Sequence, residues 1–76
     1  MPSFYFDVCK GEDFIPDDEG FQCISLEAAE HEAIQTALQL GRHWLPHVHE
    51  VSVMVRDDQR RTMLAMTLAL TVERLP

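Results

Sequence analysis

The 76-residue chain is poor in the residues from which catalytic and ligand-binding signatures are built, and each scarcity excludes something. Cysteine occurs twice, at Cys9 and Cys23. Two thiols are too few for a disulfide framework, there is no Cys-x-x-Cys motif, and the natural reading is two free thiols in a reducing cytoplasm. Lysine and arginine total six against thirteen acids, a formal charge of −7. That balance repels phosphate backbones and anionic membrane surfaces, so neither nucleic acid nor membrane is expected as a partner, and a basic protein suits it better. No apolar run approaches the ~20 residues needed to cross a bilayer. No charged-then-apolar leader precedes the first strand pattern at Phe4, so the chain is not expected to be secreted. No nucleophile elbow is present.

What is present is the composition of an ordinary soluble globular protein, 46% hydrophobic and 25% charged. Seventy-six residues make one domain, spanning 1–76. A domain of this size buries only roughly 60% of its unfolded surface, which makes association an obvious supplement to its own core.

Phe4, Phe6 and Val8 alternate with Tyr5 and Asp7, the pattern of a half-buried strand. Lys10 to Asp13 is turn chemistry, and Phe14-Ile15 reads as a short returning strand. Pro16-Asp17-Asp18-Glu19-Gly20 is a second turn, followed by a short strand from Phe21 to Ile24. Ser25 is a helix N-cap candidate, with Glu27, Glu30 and Glu32 placed to complement the helix dipole. Leu26, Ala29, Ala33, Ala37, Leu40 and Trp44 recur at spacings of three or four, with Ile34, Leu38, Gly41 and Leu45 beside them in a wide apolar stripe suited to lying on a sheet, and Pro46 stops the pattern, which predicts a helix over 26–44. Its alanines and Gly41 would let it lie close to a sheet.

Val51, Val53 and Val55 give another alternating strand, and Asp57 to Arg61 turns the chain. The final strand pattern runs from Thr62 to Val72. Leu64, Met66, Leu68, Leu70 and Val72 make a large apolar face, while Ala65, Thr67, Ala69 and Thr71 make a small uncharged one. A two-stranded hairpin is marginal alone, so all these strands belong in one sheet. The fold expected is α+β, an antiparallel sheet of four or five strands with one helix on one face, in the order β-β-(β)-α-β-β. Its core should contain Phe4, Phe6, Val8, Ala33, Ala37, Leu40, Trp44, Val53, Val55, Met66, Leu68 and Leu70.

Candidate sites weigh poorly against plainer readings. His43, His47, His49 and Glu50 are the nearest thing to a metal constellation, but Pro46 breaks the helical spacing of His43 and His47, and His31 lies about three turns away. Asp17-Asp18-Glu19-Gly20 has the composition of a calcium loop without its alternating ligand spacing, and reads as a turn. Lys10 follows Cys9 but points to the opposite face of a strand, so neither thiol has an activating group. Arg56, Arg60 and Arg61 put half of the chain's basic residues at one hairpin tip, an anion contact in principle. Asp57 and Asp58 offset most of that charge, and the plain reading is a solvated turn. No catalytic residue, cofactor or metal is assigned, and the chain is not expected to be an enzyme.

The residues Phe4-x-Phe6-Asp7, Asp17-x-x-Gly20, Leu26-Glu27-Ala28-Ala29, Glu32-Ala33, Val53-x-Val55-Arg56-Asp57 and Thr67-Leu68, in this order over nearly the whole chain, resemble a family of small alphaproteobacterial proteins known only as a domain of unknown function. That resemblance implies a bacterial cytoplasmic protein and carries no functional residue. Members typically have Gly in the turn after Arg-Asp, where this chain has Gln59 and Arg60, so its hairpin should be longer or differently shaped. From Phe4 to Leu45 the chain is also loosely similar to antitoxin domains of the HicB type, without their DNA-binding appendage. The function expected is a non-enzymatic interaction or homo-oligomerisation module, a homodimer through the Ala65, Thr67, Ala69, Thr71 face. The alternative is an antitoxin-like binder of a small basic protein.

Overall fold

The computed structural model describes residues 1–76. The alternating segments become strands β1 (Ser3–Lys10), β2 (Asp13–Ile15), β3 (Phe21–Gln22), β4 (Glu50–Asp57) and β5 (Thr62–Ala69), with helix α1 (Leu26–Trp44) between β3 and β4. All pairings are antiparallel, in the order β2-β1-β4-β5, with β3 also on β1. This is the α+β arrangement expected, with five strands and one helix.

Local chemistry sets the bounds of α1. Ser25 has extended backbone angles, and its Oγ accepts the Ala28 N–H at 3.2 Å, a cap worth ~1 kcal/mol. At the other end Leu45 turns extended ahead of Pro46 while its N–H still donates to the Gly41 carbonyl at 2.9 Å. The Leu45–Pro46 peptide bond is cis.

Register puts Phe6 beside Val55 and Val8 beside Val53, then Val53 beside Met66 and Val51 beside Leu68. One sheet face is therefore apolar, and α1 lies on it, chiefly over β4 and β5. Ala29, Ala33, Ala37 and Gly41 form its buried stripe. Small residues bring the helix so close that a Cβ at Gly41 would collide with Leu68 Cδ2. Val51, Val53 and Val55 are wholly enclosed, each worth ~1.5–3 kcal/mol of burial.

The expected core needs correction at its margins. Phe6, Val8, Leu40, Trp44, Met66 and Leu68 are only half-buried, and Leu70 is 44% exposed. The cause is width: one helix ~10 Å across cannot roof strands spaced ~4.8 Å apart across the whole sheet. Nor does the last strand reach Val72. β4 begins at Glu50, opposite Ala69, and only the Leu70 N–H bond to the His49 carbonyl continues the ladder. Without a facing strand, Leu70, Thr71 and Val72 leave the sheet and are exposed, so Thr71 does not share a sheet face with Ala65, Thr67 and Ala69.

The β4–β5 turn is a three-residue loop. Arg60 N–H donates to the Asp57 carbonyl, Asp57 N–H donates to the Arg61 carbonyl, and Arg60 sits at φ +67°. Such a loop ends on a left-handed residue, the place where glycine is most comfortable. Here Arg60, a residue with a Cβ, takes that left-handed position.

Candidate functional site

The outer edge of β1 is shared by two short strands, and the gap between them builds the most ordered polar feature of the chain. β2 covers Val8 to Lys10 and β3 covers Ser3 and Phe4, leaving Tyr5 to Asp7 facing the longer segment Pro16–Gly20. Asp17 bridges the mismatch. Its Oδ2 accepts the Phe6 N–H at 3.0 Å, as a neighbouring strand's carbonyl would, and its Oδ1 accepts the N–H groups of Glu19 and Gly20 at 3.0 and 3.2 Å. Asp17 N–H in turn donates to Asp7 Oδ1 at 2.9 Å.

Arg56, across the ladder on β4, closes the network from the sheet face opposite the helix. Its Nε donates to Asp7 Oδ2 and its Nη2 to the Asp17 carbonyl, both at 2.8 Å, and its guanidinium lies 4.5 Å from the centroid of the Tyr5 ring. Gly20, at φ +80°, packs against that ring so tightly that a Cβ would overlap Tyr5 Cε2. Burial opposes the charge on Asp17, but the three N–H donors and Arg56 outweigh it and hold the carboxyl below the usual carboxylate range. Asp7 is 6% exposed and both its oxygens are used. Every carboxylate here is committed to holding the loop on the sheet, which makes the cluster a clasp.

The residues singled out from sequence fall elsewhere. His43, His47 and His49 are exposed around the end of α1, and no three His, Cys, Asp or Glu side chains converge as metal ligands. Cys23 is buried near the start of β1, its N–H bonded to the Pro2 carbonyl, while Cys9 lies near the other end of that strand; both are free. The seven residue steps from Pro2 to Cys9 span ~23 Å. Burial, then Glu32, pushes the Cys23 thiol up. Arg56 is not at the hairpin tip. Arg61 does sit there, with its Nε 3.2 Å from Asp57 Oδ2.

Ala65, Thr67 and Ala69 are exposed on the face away from α1, where Thr67 Oγ1 is hydrogen-bonded to Ser52 Oγ at 3.0 Å. Among the exposed apolar side chains, which also include Met1, Phe14, Ile24, Met63, Leu70, Val72 and Leu75, four flank the helix. Ile34 and Leu38 stand 40% and 49% exposed beside β5, around an open hollow of about 190 Å³ shared with Ala37, Met66, Thr67 and Leu68. On the other flank Ile15 and Phe21, each 45% exposed, adjoin the half-buried Phe6 and Val8.

A family model described as a domain of unknown function, DUF6894, matches residues 3–69. The chain belongs to the DUF6894 family. The match covers every strand and the helix of this DUF6894 domain and leaves out residues 70–76 after Ala69. No curated protein and no solved structure matches the chain. The clasp was missed as a unit in the sequence, yet its members Asp7, Asp17, Gly20 and Arg56 all stand among the residues that carry the family resemblance. Two opposite charges, Asp7 and Arg56, in the middle of apolar alternations were the available signal. No helix of the domain is long and apolar enough to cross a membrane.

Proposed function

We propose that this DUF6894 domain is a non-enzymatic protein-interaction module that works by self-association in the bacterial cytoplasm. The observation that carries the reading is the partial roofing of the sheet. α1 is spent on β4 and β5, yet Ile34 and Leu38 on one flank, and Ile15 and Phe21 on the other, remain open to water. Apolar side chains gathered in strips, rather than scattered singly, are what interaction surfaces present. Two free cysteines at distant points suit a reducing compartment.

The test is light scattering of the eluting protein from about 10 μM to about 1 mM, the range that brackets weak and moderate dimers. The reading requires a mass above the 8.7 kDa of one chain. A constant monomer mass over that range would refute it. The charge of −7 favours a second reading, an antitoxin-like binder of a small basic protein. A neighbouring reading frame for such a protein would support it, and its consistent absence would count against it.

A further inference from the structure

We propose that a second copy of this chain docks antiparallel on the β5 edge and the adjoining flank of α1, about a two-fold axis that passes between the Met66 residues of the two copies, level with Thr36. The inference rests on the reading of the domain as self-associating and names the seam.

The first observation is the edge itself. β5 ends the sheet, with no strand on its outer side. Leu70 N–H bonds to the His49 carbonyl, and hydrogen-bonded pairs alternate in an antiparallel ladder, so Leu64, Met66 and Leu68 bond inward to β4. The backbone groups of Ala65, Thr67 and Ala69 therefore point outward. Edge strands are normally protected by charges, proline or a bulge that turns the edge away. From Thr62 to Val72 this edge carries no charge and no proline. The one irregularity, at Val55/Arg56, lies at the end of the ladder next to the hairpin turn.

The second observation is a self-complementary line on α1. Glu30, Ile34, Leu38 and Arg42 recur every four residues and are all exposed. Residues at that spacing are neighbours along the helix surface. Reversing the line about Thr36 sets Ile34 against Leu38 of the second copy and Glu30 against Arg42 of the second copy. Opposite charges thus meet twice and apolar groups meet twice, with no like-charge contact in the line.

The third observation ties the two together. Gly41 packs against Leu68, which fixes the height of the helix along β5. From Gly41 back to Thr36 is five residues, ~7.5 Å of helix. From Leu68 back to Met66 is two residues, ~6.6 Å of strand. The centre of the charge line and the centre of the edge strand therefore lie at the same level, and one two-fold axis serves both. A closed two-fold contact is the commonest way identical chains associate. The Ala65, Thr67, Ala69 side-chain face offers less. Its groups are small, the Thr67 hydroxyl is engaged by Ser52, and the clasp occupies its far end. In this arrangement those three residues enter the seam through their backbone.

The test is sedimentation equilibrium of the full chain and four variants in about 0.15 M salt, where exposed pairs are screened beyond ~8 Å. Arg42→Glu and Glu30→Arg each place two like-charge contacts in the dimer and should raise its Kd about tenfold. The double variant E30R/R42E restores the pairing and should return Kd to within about threefold of the parent, a rescue that a folding defect cannot produce. Glu32→Arg, the same charge reversal on the other flank of α1, should leave Kd within about threefold. A dimer insensitive to both single reversals, or one weakened as much by Glu32→Arg, overturns the seam while the self-association reading stands. A parent that stays monomeric overturns both.

Discussion

Replacing Asp17 with Asn tests whether a single carboxylate holds the two halves of the broken edge strand to β1. The substitution keeps the shape of the side chain and exchanges one acceptor oxygen for an NH2 group. Asp17 accepts three backbone N–H bonds, at 3.0, 3.0 and 3.2 Å. After the exchange either Phe6 N–H or the Glu19 and Gly20 pair faces a donor. A hydrogen bond to a charged acceptor is worth ~1.5–3 kcal/mol net, and the half-buried position of Asp17 favours the lower part of that range. The expected loss is ~2 kcal/mol. At ~0.05–0.15 kcal/mol per residue, a chain of this length has roughly 4–11 kcal/mol in all, so the loss is a large share. It should lower Tm by roughly 8–16 °C for a domain of this size. The assay is thermal unfolding by far-ultraviolet circular dichroism, with urea unfolding read by the fluorescence of Trp44, the one tryptophan. Asp18→Asn is the control: Asp18 is exposed, and its change should stay within ~0.5 kcal/mol. A D17N protein melting within about 2 °C of the parent would refute the clasp as a stabilising device.

Acid should weaken the fold in a predictable window. Besides Asp17, Asp57 is held below the ordinary carboxylate range, first by the Arg61 N–H and then by Gln59 N–H and the Arg61 side chain. Unfolded, both return to values near ~3.9, so the unfolded chain binds more protons there; their stabilisation is complete above about pH 5 and is lost as pH falls through the lower folded-state values. Urea midpoints at pH 7, 4.5 and 3 should show this, with a shallower fall in D17N. Gly41→Ala should destabilise by ~1–2 kcal/mol through collision with Leu68, despite the ~1 kcal/mol helix preference for Ala. In a double-mutant cycle Leu68→Ala should relieve that cost, and simple additivity would contradict the close approach. Arg60→Gly should raise stability by ~0.5–1 kcal/mol, since a left-handed Arg costs ~1–2 kcal/mol and Gly returns part of that in unfolded-state entropy; a lower urea midpoint would contradict the loop geometry.

The fold was largely legible in the sequence because its elements announce themselves locally. Ser25 and Pro46 bound α1 where capping chemistry places them, and the Val51-Val53-Val55 alternation fixes the buried face of β4. What failed was anything set by the partner of a segment rather than by the segment. The Thr62–Val72 alternation continues past Ala69, but the strand it needs opposite stops at Glu50, so Leu70, Thr71 and Val72 fall outside. Asp7, Asp17 and Arg56 were each readable as turn or surface residues, and only the antiparallel register of β1 on β4 brings Arg56 across from Tyr5, next to Asp7. The span from Asp7 to Arg56 is forty-nine residues, and no local pattern reports it.

Amide hydrogen exchange at Ala65, Thr67 and Ala69 reports whether the β5 edge is a seam between two copies. Their N–H groups point away from β4, so in a monomer they exchange nearly as fast as in an unstructured peptide. With the seam formed, exchange at these three positions should slow as protein concentration rises, while Leu64, Met66 and Leu68, bonded to β4, stay protected throughout. Fast exchange at Ala65, Thr67 and Ala69 at every concentration up to about 1 mM, where even a weak dimer is populated, would contradict it.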